Sequence, residues 1–483
     1  MNLARRISTI LLALQLAGFG RAMTWPSSVS AEAQTPLHAD GSTLEDGNGQ
    51  VIHLTGVNWF GFETDSFAPH GLWARNYDDM LAEIAAIGFN TLRLPYTNQL
   101  FRDGSTPRGI DYQKNPDLEG LSGLALMDRI VDAAGKHGLR VILDRHRPTA
   151  AGQSELWYTS EVPESQWIQD WVMLAQHYQG NLTVVGADLH NEPHGAATWG
   201  DDNPRTDWRL AAERAGNAIL AANPDWLILV EGVERYGNDW YWWGGNLEGA
   251  EQAPVRLSEP SKLVYSTHDY GPGVYRQRWF SAPDFPGNLP AVWDQHWAYL
   301  SRTGVAPVLV GEFGGRSVGT DREGTWQQAL LSFLRDTDLS YTYWSWNPDS
   351  GDTGGILQDD WSTLNAQKVA MLSQYDSAHG DGAFARVSGD GASPTVSGDG
   401  ASATQPQAPG NATPPAGVPQ PPPGALMAAG GPFDPDVQHV LAGIGSTSDP
   451  DPAHRQARQH DEQLYLQEFG TPWQYAVYTS DGH

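Results

Sequence analysis

Two glutamates stand where side chains could do chemistry. Glu192 closes the segment Asp188-Leu-His-Asn-Glu-Pro193, and Glu312 lies in Val308-Leu-Val-Gly-Glu-Phe-Gly-Gly315, 120 positions further on. Each follows an apolar run at the point where a strand would open to solvent, and packing gives no reason for a carboxylate there. A pair of this kind suits cleavage of a glycosidic bond. One carboxyl, its pKa raised, donates a proton, while the other stays ionised and attacks the anomeric carbon. A separation of about 5–5.5 Å would retain configuration through a covalent intermediate. The plainer alternative pairs both glutamates with Arg93 or another base for stability alone. Other strand ends carry Arg93, His146, Asn191, His268 with Tyr270, and Trp344. Singly, each has a bland reading as an ion pair, a satisfied histidine or a core indole; their recurrence at one end of successive strands is the signal. His190 and His194 have i,i+4 spacing, but Pro193 and the strand-to-loop context are wrong for a helical zinc pair. No metal or cofactor is required, and Glu63, Asp349 and Asp352 read as polar cleft wall.

Short apolar runs alternate with amphipathic stretches. Strands are expected over Val51–Phe60, Phe89–Pro95, Arg140–His146, Val184–Glu192, Leu227–Glu231, Leu263–His268, Pro307–Phe313 and Tyr341–Trp346. Helices are expected over Asn76–Ile87, Leu124–His137, Ser165–Tyr178, Asp207–Ala222, Ala291–Thr303 and Thr325–Asp336. The interval between the fifth and sixth strands is irregular, so a helix there is doubtful. The alternation predicts an α/β fold, a (β/α)8 TIM barrel, with a doubly wound sheet as the alternative. In a barrel, polar residues at the C-terminal strand ends are candidates for function. The Asp46-Gly47-Asn48-Gly49 turn suggests a small hairpin closing the barrel bottom.

The flanks differ in composition. Arg5 and Arg6 precede an apolar run from Ile7 to Phe19, and Ala31-Glu32-Ala33 offers a cleavage site, so residues 1–33 read as a signal peptide of a secreted protein. Residues 37–375 read as the catalytic barrel and hold 18 of the 20 tryptophans. Residues 376–432 are a Pro/Gly/Ser-rich linker with a direct repeat, Val387–Ser393 and Val396–Ser402, too poor in apolar surface to pack. Residues 433–483 read as a weakly ordered tail. The net charge of −28 argues against nucleic acid or an anionic membrane as partner. The absence of cysteine removes disulfides and thiolate chemistry. A monomer is expected.

The ordered series of motifs resembles glycoside hydrolase family 5, and within it bacterial secreted endo-β-1,4-glucanases. The matching segments are Gly56–Thr64, Thr91–Tyr96, Leu143–Pro148, Leu189–His194, Ser266–Pro272, Gly311–Gly315 and Tyr343–Gly355. The resemblance implies retaining, endo-acting hydrolysis of cellulose or soluble β-glucan. Mannan, xyloglucan or lichenan stay open as substrates, and a carbohydrate-binding protein without catalysis is the reading from another class. It implies Glu192 as general acid/base, Glu312 as nucleophile and Asn191 as the partner of the sugar 2-hydroxyl. Arg93 and Tyr270 would hold Glu312, His146 and His268 would bind hydroxyls or tune the carboxylates, and Trp344 would floor the sugar ring. Trp59, Trp157, Trp199, Trp242, Trp243 and Trp346 are candidate stacking platforms, with His194 and Tyr96 as further wall. Relatives often carry a cellulose-binding module beyond such a linker; the short tail here matches none.

Overall fold

The computed structural model describes residues 34–379. The expected signal, the tail and all but the first four residues of the expected linker lie outside them. Strands β1 (His38–Asp40) and β2 (Thr43–Glu45) form an antiparallel pair. Then come β3 (Thr55–Asn58), α1 (Tyr77–Ala86), β4 (Thr91–Thr97), α2 (Gly123–Lys136), β5 (Arg140–Arg147), α3 (Glu164–His177), β6 (Val184–Asp188), α4 (Trp208–Ala222) and β7 (Leu227–Glu231). A hairpin, β8 (Arg235–Tyr236) and β9 (Asp239–Trp240), precedes β10 (Leu263–His268). The chain continues through α5 (Leu289–Trp293), a π-helical turn (Asp294–Ala298), α6 (Tyr299–Arg302), β11 (Val308–Phe313), α7 (Arg322–Asp336), β12 (Ser340–Tyr343) and α8 (Ala366–His379).

Strands β3, β4, β5, β6, β7, β10, β11 and β12 pair in parallel, and β12 returns to β3. This closure makes a (β/α)8 barrel and excludes the doubly wound sheet. The expected irregularity after the fifth barrel strand is the β8–β9 hairpin, with no α-helix before β10. The expected helix over 291–303 is broken by the π turn. α8, which the sequence reading left out, packs on α7, and Tyr375 meets Tyr341 edge-on at 5.0 Å between ring centroids.

Alternation along each strand explains both core and site. Side chains two apart share a face, and the inward set runs from apolar at the bottom to ionisable at the top: Ile142, Asp144, His146 on β5; Leu227, Leu229, Glu231 on β7; Val264, Ser266, His268 on β10. The bottom layer, Leu54, Ile142, Val185, Leu227, Leu229, Val264 and Leu309, forms its own buried cluster, sealed by Leu37 and Leu44 from the N-terminal pair. The outward set packs on the helices in the main core. The Asp46–Gly49 turn does reverse the chain, since Ile52 N–H donates to the Leu44 carbonyl at 2.8 Å, but the strand pair that plugs the bottom is β1–β2, one turn earlier. Three α-helix starts are capped by side chains, Asn76 on α1, Ser122 on α2 and Asp321 on α7, each accepting from a free N–H of the first turn.

Candidate active site

The top ends of the strands converge on Arg93. It stands on β4, fully buried, where alternation turns it inward. Its guanidinium donates to Glu312 Oε1 at 2.6 Å, Asp188 Oδ2 at 2.9 Å, Glu231 Oε1 at 3.2 Å, Asn58 Oδ1 at 3.0 Å and Asn191 Oδ1 at 3.1 Å. Asp144 Oδ2 lies at 3.2 Å. One cation therefore faces four carboxylates from β5, β6, β7 and β11. Four buried negative charges cannot be balanced by one positive one, so protons must stay bound. Burial pushes Asp144 up to about 6 and Asp188 up to about 7, and Glu231 rises well above the usual carboxylate range.

Glu312 is buried and touches two donors. Besides Arg93, the Tyr270 hydroxyl donates to its Oε2 at 2.6 Å. An arrangement with both oxygens accepting suits an ionised nucleophile. Glu192 is the more open of the two, its side chain 14 % exposed. Burial pushes its pKa up to about 7, as a proton donor at neutral pH requires. His268 Nδ1 lies 3.0 Å from Glu192 Oε1 and 3.6 Å from Glu312 Oε2. One oxygen of each glutamate and that ring nitrogen fall within 4.8 Å of one another. The two glutamates thus share one mouth and face each other.

The backbone at Glu192 is also held. Its φ is +52°, a left-handed conformation that costs a non-glycine residue roughly 1–2 kcal/mol. Its N–H donates to Glu231 Oε2 at 2.7 Å. Gly244 closes over this pair: a Cβ there would stand 2.1 Å from Glu231 Oε2 and 3.0 Å from the Glu192 Cα. Gly314 does the same beside Trp344, whose carbonyl oxygen would meet a Cβ at 1.9 Å.

The remaining expected residues sort by exposure. His146 is buried, its Nδ1 2.6 Å from Asp144 Oδ2, and its ring is parallel to Trp344 at 5.5 Å. Burial holds His146 down at about 4 and His268 down at about 3, so both are neutral. Asn191 keeps its buried amide N–H2 without a hydrogen-bond partner, while its Oδ1 accepts from Arg93. Trp344 is partly exposed, parallel to Phe60 on one side, and donates to Ser350 Oγ at 3.1 Å. Trp59 is a correction. It is fully buried and donates to the His70 carbonyl at 2.9 Å, because the residue after β3 turns under the loop rather than into the cleft. Trp157, Trp199, Trp242, Trp346 and Tyr96 are likewise buried. Trp243 alone of the six offers a face, 43 % exposed and stacked on His194 at 3.8 Å. The sequence reading missed Glu231, Asp144, Asp188 and Asn58. The signal was present, as each ends or nearly ends a strand on the inward register. It also missed the exposed rings of Trp73, Trp240 and Tyr275.

Residues 46–350 match the family described as cellulase, glycosyl hydrolase family 5. An endoglucanase of Paenibacillus polymyxa is 54 % identical over 372 residues, covering 76 % of this chain and 93 % of that protein. The major extracellular endoglucanase of Xanthomonas campestris pv. campestris is 42 % identical over 379 residues, 77 % of this chain and 75 % of that one. Among solved structures, an endocellulase of Pyrococcus horikoshii in complex with cellotetraose superposes with a TM-score of 0.67 at 43 % identity, covering 70 % of this chain and 98 % of that one.

The charge arrangement generates a test. Arg93→Met removes the cation and leaves its carboxylates to each other. Stability should fall by about 3–5 kcal/mol. The loss should be greater at pH 8 than at pH 5, because the stranded groups, their pKa values raised further, can be neutral only at the lower pH. Thermal melting of wild type and variant at both pH values reads this; a pH-independent loss would contradict it.

Proposed function

The chain belongs to glycosyl hydrolase family 5, and from that premise we propose that Glu192 is its general acid/base and Glu312 its nucleophile. The enzyme hydrolyses internal β-1,4-glucosidic bonds of β-glucan with retention of configuration. The observation that carries the residue roles is the pairing of a carboxyl raised to about 7, Glu192, with a carboxylate held by two donors, Glu312, across one mouth.

In the first step a Glu312 oxygen bonds to the anomeric carbon. The bond from that carbon to the glycosidic oxygen of the leaving sugar breaks, and Glu192 gives its proton to that glycosidic oxygen. Glu312 is then a neutral ester. Its charge no longer opposes ionisation of Glu192, whose pKa falls, so the same group can act as base. In the second step water bonds to the anomeric carbon, Glu192 takes the proton, and the Glu312 ester bond breaks. Asn191 is positioned to donate to a sugar hydroxyl, a bond that tightens as oxocarbenium character grows. His268, its Nδ1 3.0 Å from Glu192 Oε1, can hydrogen-bond that carboxyl and hold it in place. Trp344 offers the flat apolar face under the ring, and Trp243 on His194 extends the platform.

Residues 1–33 serve as an export signal and residues 37–375 as the catalytic unit, whose last helix runs on to His379. Residues 376–432 then tether the tail, 433–483. Among the described residues no helix is long and apolar enough to cross a membrane. The protein acts outside the cell on a soluble or swollen glucan chain, as a monomer.

Four measurements follow. Glu312→Gln should lose roughly 10³-fold or more in kcat while still binding cello-oligosaccharide, and Glu192→Ala with azide should yield the β-glycosyl azide. An α-azide would refute retention, and an unchanged Glu312→Gln rate would refute its role. The acid must be protonated, so kcat/KM on carboxymethylcellulose should fall about tenfold per pH unit above about 7. Glu192→Gln should remove that limb. Deleting residues 380–483 should leave activity on soluble glucan nearly intact, and loss of folding would show that the catalytic unit extends further.

A further inference from the structure

Away from the cleft, three side chains from separate segments converge. Asp239 sits on β9, Glu248 in the loop that follows, and His296 in the π turn between α5 and α6. One oxygen from each acid and one imidazole nitrogen lie within 4.8 Å of one another. None has a catalytic role in the reaction above.

His296 gives the cluster its direction. The residue is 2 % exposed. Its Nδ1 lies 2.6 Å from the Val292 carbonyl oxygen, which can only accept, so Nδ1 carries the hydrogen. With Nδ1 committed to the backbone, Nε2 is the nitrogen left to meet a ligand. That nitrogen has no hydrogen-bond partner, yet it faces Asp239 Oδ2 at 3.3 Å and Glu248 Oε1 at 3.8 Å. Nε2 and the two carboxylate oxygens thus turn three donor atoms toward one point, where a cation would sit. Arg278 does not supply it, since it donates to the other oxygen of Asp239, Oδ1, at 2.9 Å. Gln295 Nε2 bridges Asp239 Oδ2 and Glu248 Oε1 at 2.7 and 2.6 Å, but it is uncharged.

We propose that Asp239, Glu248 and His296 bind a divalent transition-metal cation of the zinc type. Metal–ligand bonds of about 2.0–2.2 Å in a tetrahedron place ligand atoms about 3.3–3.6 Å apart, close to the spacings around His296 Nε2. A backbone carbonyl on Nδ1–H is the usual outer partner that turns a histidine's other nitrogen to a metal. One nitrogen and two carboxylate oxygens suit zinc better than calcium, which takes oxygen alone. Half a turn of the Gln295 amide puts its oxygen toward the same point as a fourth ligand, and the two amide positions are alike in shape. A surface cavity of about 370 Å3, lined in part by Glu248, Gln295, Tyr236 and Tyr299, gives the ion a way in. The ion clasps the β8–β9 hairpin to the α5–α6 segment. That hairpin leads directly into Trp242 and Trp243, so the clasp holds the loop that borders the cleft.

The test uses the full chain, stripped with chelator and titrated with zinc chloride. Calorimetry should show one tight site per chain, thermal melting should rise by several degrees in excess zinc, and cobalt should give visible bands of a nitrogen-ligated ion. Glu248→Gln, at a partly exposed position that tolerates the change, should weaken zinc binding by about a hundredfold. His296→Gln should do the same and abolish the cobalt bands. Both variants should keep the wild-type rate on soluble glucan. With 15 histidines in the chain, zinc can settle elsewhere, so equal uptake by wild type and Glu248→Gln overturns the proposal. So does the absence of saturable uptake, or tighter binding of calcium than of zinc.

Discussion

A single buried guanidinium organises the catalytic mouth. Arg93 cannot leave its place, because it is the only cation within hydrogen-bond reach of Glu312, Asp188 and Glu231 among the described residues. It also cannot neutralise them all. The surplus raises the pKa values of the carboxylates behind Glu312, while the two shortest donors, Arg93 and Tyr270, go to Glu312 itself. The site is thus graded, with the donors gathered on Glu312 in front and the raised carboxylates behind. Glu231 joins the two layers, since one of its oxygens faces Arg93 and the other holds the Glu192 backbone. The position of Glu192 is therefore tied to the same charge cluster that orients Glu312.

The barrel supplies the geometry this grading needs. The participants are spread over β3, β4, β5, β6, β7, β10 and β11, and the inward register turns ionisable near the top of β5, β7 and β10. Asn58 shows how the strands are locked together. Its amide donates to carbonyls of Gly311, Thr342 and Tyr343, and its oxygen accepts from Arg93. A shift of one strand by one residue would turn these groups outward.

Much of this was legible beforehand. The eight apolar runs, their order and the polar residues at their ends could be read because strand burial leaves long apolar runs and a barrel puts function at one rim. Glu192, Glu312, Arg93, Asn191, His146, His268, Tyr270 and Trp344 all fall at that rim. Trp59 did not, since an indole after a strand end has two directions open to it and sequence does not choose. Glu231 and Asp144 were passed over for the opposite reason. An acid at a strand end reads as a solvated turn, and only closure of the barrel shows that it faces a buried arginine. The α5–α6 segment could not be read as broken, because its apolar spacing fits an unbroken helix and the π turn adds a residue without disturbing composition.

The seal made by Leu37 and Leu44 beneath the barrel leaves one way in and one way out. The departing sugar, the incoming water and any second saccharide must all use the same doorway. While the leaving fragment lingers, hydrolysis waits; when another saccharide arrives before water does, it takes the glycosyl group instead. A closed floor thereby makes traffic at the entrance, as much as bond-breaking, a determinant of whether chains are shortened or rebuilt.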